Sequence, residues 1–368
     1  MSDSKSKPLI VLAAGGTGGH LFPAEALGVE LVNRGCQVAL VTDDRIAGSD
    51  WASRFPGEVM TLTAGTVTGS GLMAKISGGI RLMKGTMEAM SLLGKLKPKA
   101  VVGFGGYPTV PPVLAASFKG VPTILHEANA IMGRANRFLA KRATSIATGF
   151  PDPDPDFPEK TVFTGNPVRK PVLLAAESEY DPPALDKPLR ILVTGGSLGA
   201  RVMSDVVPGA MQQVSSELRQ RLVIVQQARE EDEARVAKVY QALGIQHEVR
   251  PFFSDLPHRM AAAHLVIARA GAMTVTELSV IGRPAILVPY PGAIDKDQAR
   301  NAEVLVAAGG AISVPQTAFT PVSLAEIIER KASRPARLIE MAAKAKSIGV
   351  SDASQRLAGH VLSILAKR

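Results

Sequence analysis

Cysteine is nearly absent: one thiol, Cys36, stands in 368 residues. That excludes an internal disulfide framework and fits a reducing compartment. Aromatic residues make up only 4% of the chain, which leaves little to stack the bases of a nucleic acid, so no nucleic-acid partner is expected. No long apolar run is free of helix breakers. The longest uncharged stretch, Ala100 to Phe118, carries Gly103, Gly105, Gly106, Pro108, Pro111 and Pro112, and it cannot cross a bilayer as a helix without freeing backbone groups. The first apolar run, Leu9 to Ala14, stops at Gly15-Gly16; it is too short for a signal-peptide core and reads as a buried strand. The expectation is a soluble or membrane-peripheral chain.

Metal-ligand spacing is lacking as well. His247, His258, His264 and His360 show none. Asp152-Pro-Asp154-Pro-Asp156 has an Asp-x-Asp spacing but reads as a proline-rich loop, and Asp295-Lys-Asp297 has no accompanying carboxylate or histidine cluster. No metal and no cofactor are expected.

Acidic residues are scarce in one window. Between Thr61 and Arg142 there are eleven Lys and Arg against two acids, Glu88 and Glu127, while the whole chain carries +9. A cationic excess confined to one region points to an anionic partner, although a solvated basic surface has the same composition. Within this window Leu72, Met73, Ile76, Ile80, Met83, Met87 and Met90 fall on one helical stripe. Lys75 and Lys84 lie on its two sides, and Arg81 belongs to the same segment. An apolar stripe flanked by cations suits a helix lying on anionic lipid; a core-facing helix is the other reading.

What is present is one plan used twice. Pro8–Ala14 is an apolar strand followed by Gly15-Gly-Thr-Gly-Gly19 and a helical pattern over Phe22–Arg34. Leu189–Thr194 is another, followed by Gly195-Gly-Ser-Leu-Gly199 and a helix over about Ala200–Leu218. Further strands are read at Val38–Thr42, Ala100–Gly103, Thr123–His126, Ser145–Thr148 and Lys160–Thr164, then at Leu222–Gln226, Leu265–Ala268 and Ala285–Pro289. Strands alternating with helices define an α/β chain with two Rossmann-like, doubly wound parallel sheets facing across a cleft. The length suits two domains of ~100–200 residues each. The expected division is 1–168 and 169–346, with a last helix at about 347–368 returning to the first domain.

Several loops could carry chemistry. Ala268-Arg-Ala-Gly-Ala-Met-Thr-Val-Thr-Glu277 turns from a strand into a helix whose free first-turn amides suit a diphosphate. Glu277 could accept hydrogen bonds from a ribose diol, or it could simply complement the helix N-terminus. Gln298 and Asn301 are three apart and are expected to present their amides on one face. In the first half, His20 follows a glycine turn at a helix start. That position keeps an imidazole neutral for general-base work, and it also suits a structural cap. Gly103-Phe-Gly-Gly-Tyr-Pro108 and His126-Glu-Ala-Asn129 stand at strand ends of the same half.

Taken in order, Gly15-Gly-Thr-Gly-Gly-His20, Gly105-Gly-Tyr107, His126-Glu-x-Asn129, Gly165-Asn-Pro-Val-Arg169, Gly195-Gly-Ser197 with Gly199-Ala-Arg201, and Gly271-Ala-x-Thr-Val-x-Glu277 resemble the MurG family over residues 9 to 360. Its members are bacterial UDP-N-acetylglucosamine:undecaprenyl-diphospho-muramyl-pentapeptide N-acetylglucosaminyltransferases. The resemblance implies a GT-B fold and metal-independent inverting transfer onto the lipid-linked muramyl-pentapeptide at the cytoplasmic face of the inner membrane. It also implies a UDP-N-acetylglucosamine site made by Thr17, Gly18, Gly19, Asn129, Arg169, Ser197, Ala272, Met273, Thr274, Val275, Thr276, Glu277 and Gln298, with the uracil at Phe253. His20 and Glu127 are the candidate bases, and Gly105, Gly106 and Tyr107 belong on the acceptor side. Three rivals share features of the sequence: a UDP-sugar epimerase, a non-catalytic scaffold, and a dehydrogenase using Asp43. The dinucleotide fingerprint that a dehydrogenase would need is missing.

Overall fold

Strand β1 (Leu9–Ala13) sends Ile10 and Leu12 into one buried cluster and Val11 into another. Both faces of its sheet are therefore covered, as the period-two alternation of a parallel sheet requires. The computed structural model describes residues 7–62, 72–151, 156–196, 199–293 and 295–367, without the side chains of 72–76. The chain divides into two units, Met1–Arg169 with Asp352–Arg368, and Lys170–Ser351.

In unit 1, β1 is joined by β2 (Gln37–Thr42), β3 (Glu58–Thr61), β4 (Ala100–Gly103), β5 (Thr123–Glu127), β6 (Ser145–Thr148) and β7 (Thr161–Phe163). The order is β3-β2-β1-β4-β5-β6-β7, parallel throughout. Helix Gly18–Asn33 supplies Leu27 and Leu31 to the Ile10/Leu12 cluster. Helix Ala353–Ala366 adds Leu357, Ala358 and Val361 to it. On the opposite face, helices Leu72–Leu96 and Val110–Phe118 pack together over Val11, Val101 and Leu125.

Unit 2 has β8 (Leu189–Thr194), β9 (Leu222–Gln227), β10 (Gln246–Arg250), β11 (Leu265–Ala268), β12 (Ala285–Leu287) and β13 (Ala311–Ser313). Their order is β10-β9-β8-β11-β12-β13, again parallel. Strand order reverses between β1 and β4 in one unit and between β8 and β11 in the other. Within each unit the loops leaving these two strands diverge to opposite faces, which opens a crevice at their C-terminal ends, and that unit's own glycine turn stands there.

Three strands escape the sequence reading: β3, β10 and β13. Each lies at or next to the end of its sheet and is partly polar, so none shows the continuous apolar run of a central strand. The helix expected over Ala200–Leu218 ends at Gln213. Ser215 then caps a new short helix, accepting from Leu218 N–H at 3.3 Å.

Helix Leu72–Leu96 turns small residues inward. Gly78, Gly85 and Ala89 are buried with Leu93, which lets the helix approach Val110–Phe118 closely. Ile80, Met83 and Met87 face outward at 57%, 61% and 64% exposure. The apolar stripe is therefore on the surface, and the core-facing reading fails for its described part. Leu72, Met73, Ile76 and Lys75 carry side chains outside the described residues. Arg81 donates to the Ser77 carbonyl at 3.3 Å and to its hydroxyl at 3.2 Å, and Lys84 is exposed. Among the described residues no helix is long and apolar enough to cross a membrane.

Candidate functional site

In unit 1 the β1 loop is fixed from below. Asp43, at the end of β2, accepts from Gly16 N–H at 3.2 Å and pairs with Arg45 at 3.4 Å. That carboxylate holds a loop amide. Thr17 caps helix Gly18–Asn33 in extended conformation without a side-chain cap bond, and its carbonyl accepts from His20 N–H at 3.1 Å. Among the described residues no side chain caps the amides of this helix start, at Gly18 and Gly19.

The His20 ring packs on the β4 turn. Gly105 and Gly106 have φ of 88° and 77°. A Cβ on Gly105 would lie 3.2 Å from His20 Cε1, and one on Gly106 would lie 3.2 Å from the Gly15 carbonyl. Glycine is thus required twice over, by conformation and by the imidazole. Burial holds the His20 pKa below the usual 6.5, with the Phe104 backbone pulling weakly the other way. The ring is neutral at neutral pH, as a base must be. Thr109 locks the turn, donating to the Gly105 carbonyl at 2.6 Å and the Ala13 carbonyl at 3.1 Å. Tyr107 is exposed at the turn's outer edge.

Glu127 closes β5 and is buried. Its Oε1 accepts from Asn129 N–H at 2.9 Å and Asn129 Nδ2 at 3.1 Å. Its Oε2 accepts from Gly133 N–H and Asn136 Nδ2, each at 2.9 Å. Burial raises its pKa, and these donors oppose the rise. Four donors fill the carboxylate's capacity, so the group organises the 127–136 loop. Asn166 donates to the Ala128 carbonyl at 3.0 Å, behind the same loop. Arg169 lays its guanidinium on the Phe22 ring at 3.7 Å, and among the described residues it has no acidic partner.

In unit 2 the β8 loop is tied down by Gln227. Its Oε1 accepts from the Thr194 hydroxyl at 2.8 Å and from Gly195 N–H at 3.3 Å. Its Nε2 donates to the Pro251 carbonyl at 3.2 Å, which leads directly into Phe253. One buried amide thus joins two loops. Phe253 is itself buried, with Arg259 stacked on its ring at 4.3 Å. Ser197 lies outside the described residues, as do Asp152 and Asp154.

The β11 turn leads into helix Ala272–Ile281, capped by extended Gly271 with no side-chain bond. The Gly271 carbonyl accepts from Val275 N–H at 3.0 Å, so Ala272, Met273 and Thr274 present the free amides of a helix start. The Thr276 hydroxyl turns back to the Ala272 carbonyl at 2.8 Å. Glu277 is buried one turn further in. Arg269, also buried, donates to the Val288 and Pro289 carbonyls at 3.0 and 3.2 Å and to Gln316 at 2.6 Å. It fixes the chain entering the Tyr290 loop. Gln298 closes that loop, its Oε1 accepting from Tyr290 N–H at 3.0 Å.

The expected pairing of Gln298 with Asn301 needs correction. Asn301 is fully buried, and its Nδ2 donates to the Ala270 carbonyl at 3.2 Å. It braces the β11 turn and presents no free amide beside Gln298. Asn136, Gln227 and Arg269 are the functional-loop residues to which the sequence reading gave no role; Asn166 stood in the quoted Gly165–Arg169 motif without a role of its own, and Arg269 was a charge set directly after a buried strand.

Two glycine-turn helix starts and a part-buried neutral histidine, carried on two parallel sheets with the same switch-point order, give the chain the two-domain GT-B architecture found in glycosyltransferases. Family models agree in both units: the glycosyltransferase family 28 N-terminal domain matches residues 10–148 and its C-terminal domain residues 190–357. The chain belongs to glycosyltransferase family 28 and, within it, to the MurG family. It is 52% identical over 366 residues to a Nitrobacter hamburgensis protein, covering 97% of each chain. It is 54% identical over 355 residues to one from Rhodopseudomonas palustris, covering 95% of this chain and 96% of that one. Both are UDP-N-acetylglucosamine–N-acetylmuramyl-(pentapeptide) pyrophosphoryl-undecaprenol N-acetylglucosamine transferases. The crystal structure of Acinetobacter baumannii MurG is 31% identical, with a TM-score of 0.77 over 98% of this chain and 100% of that one. A UDP-GlcNAc 2-epimerase from Neisseria meningitidis, 16% identical with a TM-score of 0.66, shares the fold alone.

Proposed function

We propose that the chain transfers N-acetylglucosamine from UDP-N-acetylglucosamine to the C4 hydroxyl of the muramyl sugar in undecaprenyl-diphospho-muramyl-pentapeptide. The product is the lipid-linked disaccharide of peptidoglycan synthesis. The observation that carries this reading is identity above one half to transferases of that activity, along both units and nearly the full chain.

The donor is held by unit 2. The diphosphate meets the free amides at Ala272–Thr274 together with Gly195, Gly196 and Ser197, Glu277 takes the ribose, the backbone near Phe253 takes the uracil edge, and Gln298 meets the sugar. On the family resemblance, Thr17, Gly18, Gly19, Asn129 and Arg169 are further donor residues. His20 removes the proton from the attacking hydroxyl while the departing UDP keeps both bonding electrons, with Arg169 and the helix-start amides stabilising its charge. What supports His20 over Glu127 is that the imidazole is neutral and, beyond its hydrogen bond with the Phe104 backbone, keeps Nδ1 without a partner among the described residues, whereas all four acceptor positions of Glu127 are taken. No metal is required in this scheme.

The acceptor is a membrane lipid, and the outward stripe of Ile80, Met83 and Met87 with Arg81 and Lys84 beside it suits the anionic cytoplasmic surface of the inner membrane. Gly105, Gly106 and Tyr107 border the acceptor side. Incubation with UDP-N-acetylglucosamine alone separates this reading from an epimerase. The transferase leaves the sugar unchanged until the lipid acceptor is added; appearance of a 2-epimer without acceptor would reverse the assignment.

A further inference from the structure

Unit 2 gathers a second set of cations at the opposite end of its sheet from the donor loops. The last turn of helix Pro321–Ala332 and one side of helix Pro335–Ser347, from Arg337 to Lys344, border a cavity of about 310 Å³ beside Gly309, ahead of β13. Arg330, Lys331, Arg334, Arg337 and Lys344 line it, with Glu340 as the one acid. Glu340 is already engaged, accepting from Arg337 at 2.8 Å and Lys344 at 2.9 Å. Among the described residues Arg330, Lys331 and Arg334 have no acidic partner.

Lys331 is the informative member. It is partly buried, and the contact its ammonium makes is with Met341 Sδ at 3.2 Å, a weak acceptor. Burial, with Arg330 and Arg337 nearby, lowers its pKa. The Lys344 stem passes over Gly309, where a Cβ would come within 2.8 Å of its Cδ. Arg330, Arg334, Arg337 and Lys344 are exposed around the hollow and Lys331 is partly buried in it, so an anion entering the hollow relieves the repulsion among like charges. The positive end of helix Pro335–Ser347 adds the same sign.

We propose that this cavity binds a phosphate-bearing ligand, separately from the sugar-nucleotide site. Guanidinium forks match phosphate oxygens, and the volume accepts a group larger than inorganic phosphate. The phosphate belongs either to a soluble phosphorylated molecule or to a lipid headgroup.

The test titrates inorganic pyrophosphate into the full chain by calorimetry, with saturating UDP holding the donor site. A binding event is expected that Lys331→Met with Arg334→Gln weakens about tenfold or more, with transfer activity unchanged. Flotation on phosphatidate and phosphatidylcholine vesicles, compared between the native and variant proteins, identifies the source. Loss confined to phosphatidate vesicles assigns a headgroup, and loss of pyrophosphate binding assigns a soluble ligand. Arg334→Gln alone, at an exposed residue, repeats the test should the pair lower stability. Binding that is absent, or equal in native and variant proteins for both probes, overturns the proposal.

Discussion

Gln227 and Thr194 are bound side chain to side chain at 2.8 Å beneath the β8 glycine turn. The same amide oxygen takes Gly195 N–H, and its nitrogen reaches the Pro251 carbonyl. The β8 loop and the loop of Phe253 are therefore tied to one another through a single side chain. Gln227→Met keeps the volume but deprives the buried Thr194 hydroxyl and the part-buried Gly195 N–H and Pro251 carbonyl of their partner, at a cost of up to roughly 1–3 kcal/mol for a buried group left unsatisfied. UDP binding, measured calorimetrically, is expected to weaken about tenfold. Unchanged UDP affinity would show that the two loops are held independently.

His20→Ala is expected to lower kcat about a hundredfold or more, the range of a lost general base. In the native enzyme a base must be unprotonated, so kcat/KM falls as pH drops through the His20 pKa. Burial lowers that pKa, which places the acid limb below the ordinary histidine value of 6.5. The limb should vanish in His20→Ala. Glu127→Gln should reduce activity by disturbing the Asn129–Asn136 loop while leaving the limb where it is. A limb that follows Glu127 instead would exchange their roles.

These buried ties explain what the sequence made legible and what it did not. Glycine turns after β1 and β8 stand out because glycine runs after apolar strands are a local signal, and the helix starts follow from them. Asn136, Gln227 and Asn301 gave no such signal. Their partners lie 9, 33 and 31 residues away, and only tertiary packing makes them neighbours. For the same reason Asn301 looked like a twin of Gln298 on one helical face until burial separated them. Strand β10 was lost to its polar side chains, whereas β11 announced itself as four buried apolar residues.

His126 predicts an acid instability of unit 1. It is fully buried, and burial lowers its pKa to about 4, the Gly165 backbone and His20 contributing less. Between pH 6.5 and 4 the unfolded chain binds a proton that the folded chain refuses. Stability is therefore complete above 6.5 and declines as pH falls towards 4, by on the order of 3 kcal/mol. Trp51, the sole tryptophan, packs against the unit 1 core and reports its unfolding. Urea midpoints read from its fluorescence should fall over that window and fall less in His126→Gln. Equal pH profiles would remove His126 as the cause.

Met83→Ser with Met87→Ser should weaken binding to anionic vesicles about tenfold, because apolar area that would enter the interface is lost. Both side chains are exposed, so the thermal midpoint should barely change. Unchanged flotation would move the membrane contact off helix Leu72–Leu96.

The most direct test of the account is transfer of labelled N-acetylglucosamine from UDP-N-acetylglucosamine to undecaprenyl-diphospho-muramyl-pentapeptide in the presence of EDTA. The account predicts full formation of the lipid-linked disaccharide with the chelator present, and its loss in His20→Ala. Donor binding without any transfer to this acceptor would contradict the assigned reaction, and transfer abolished by EDTA would contradict its metal-free mechanism.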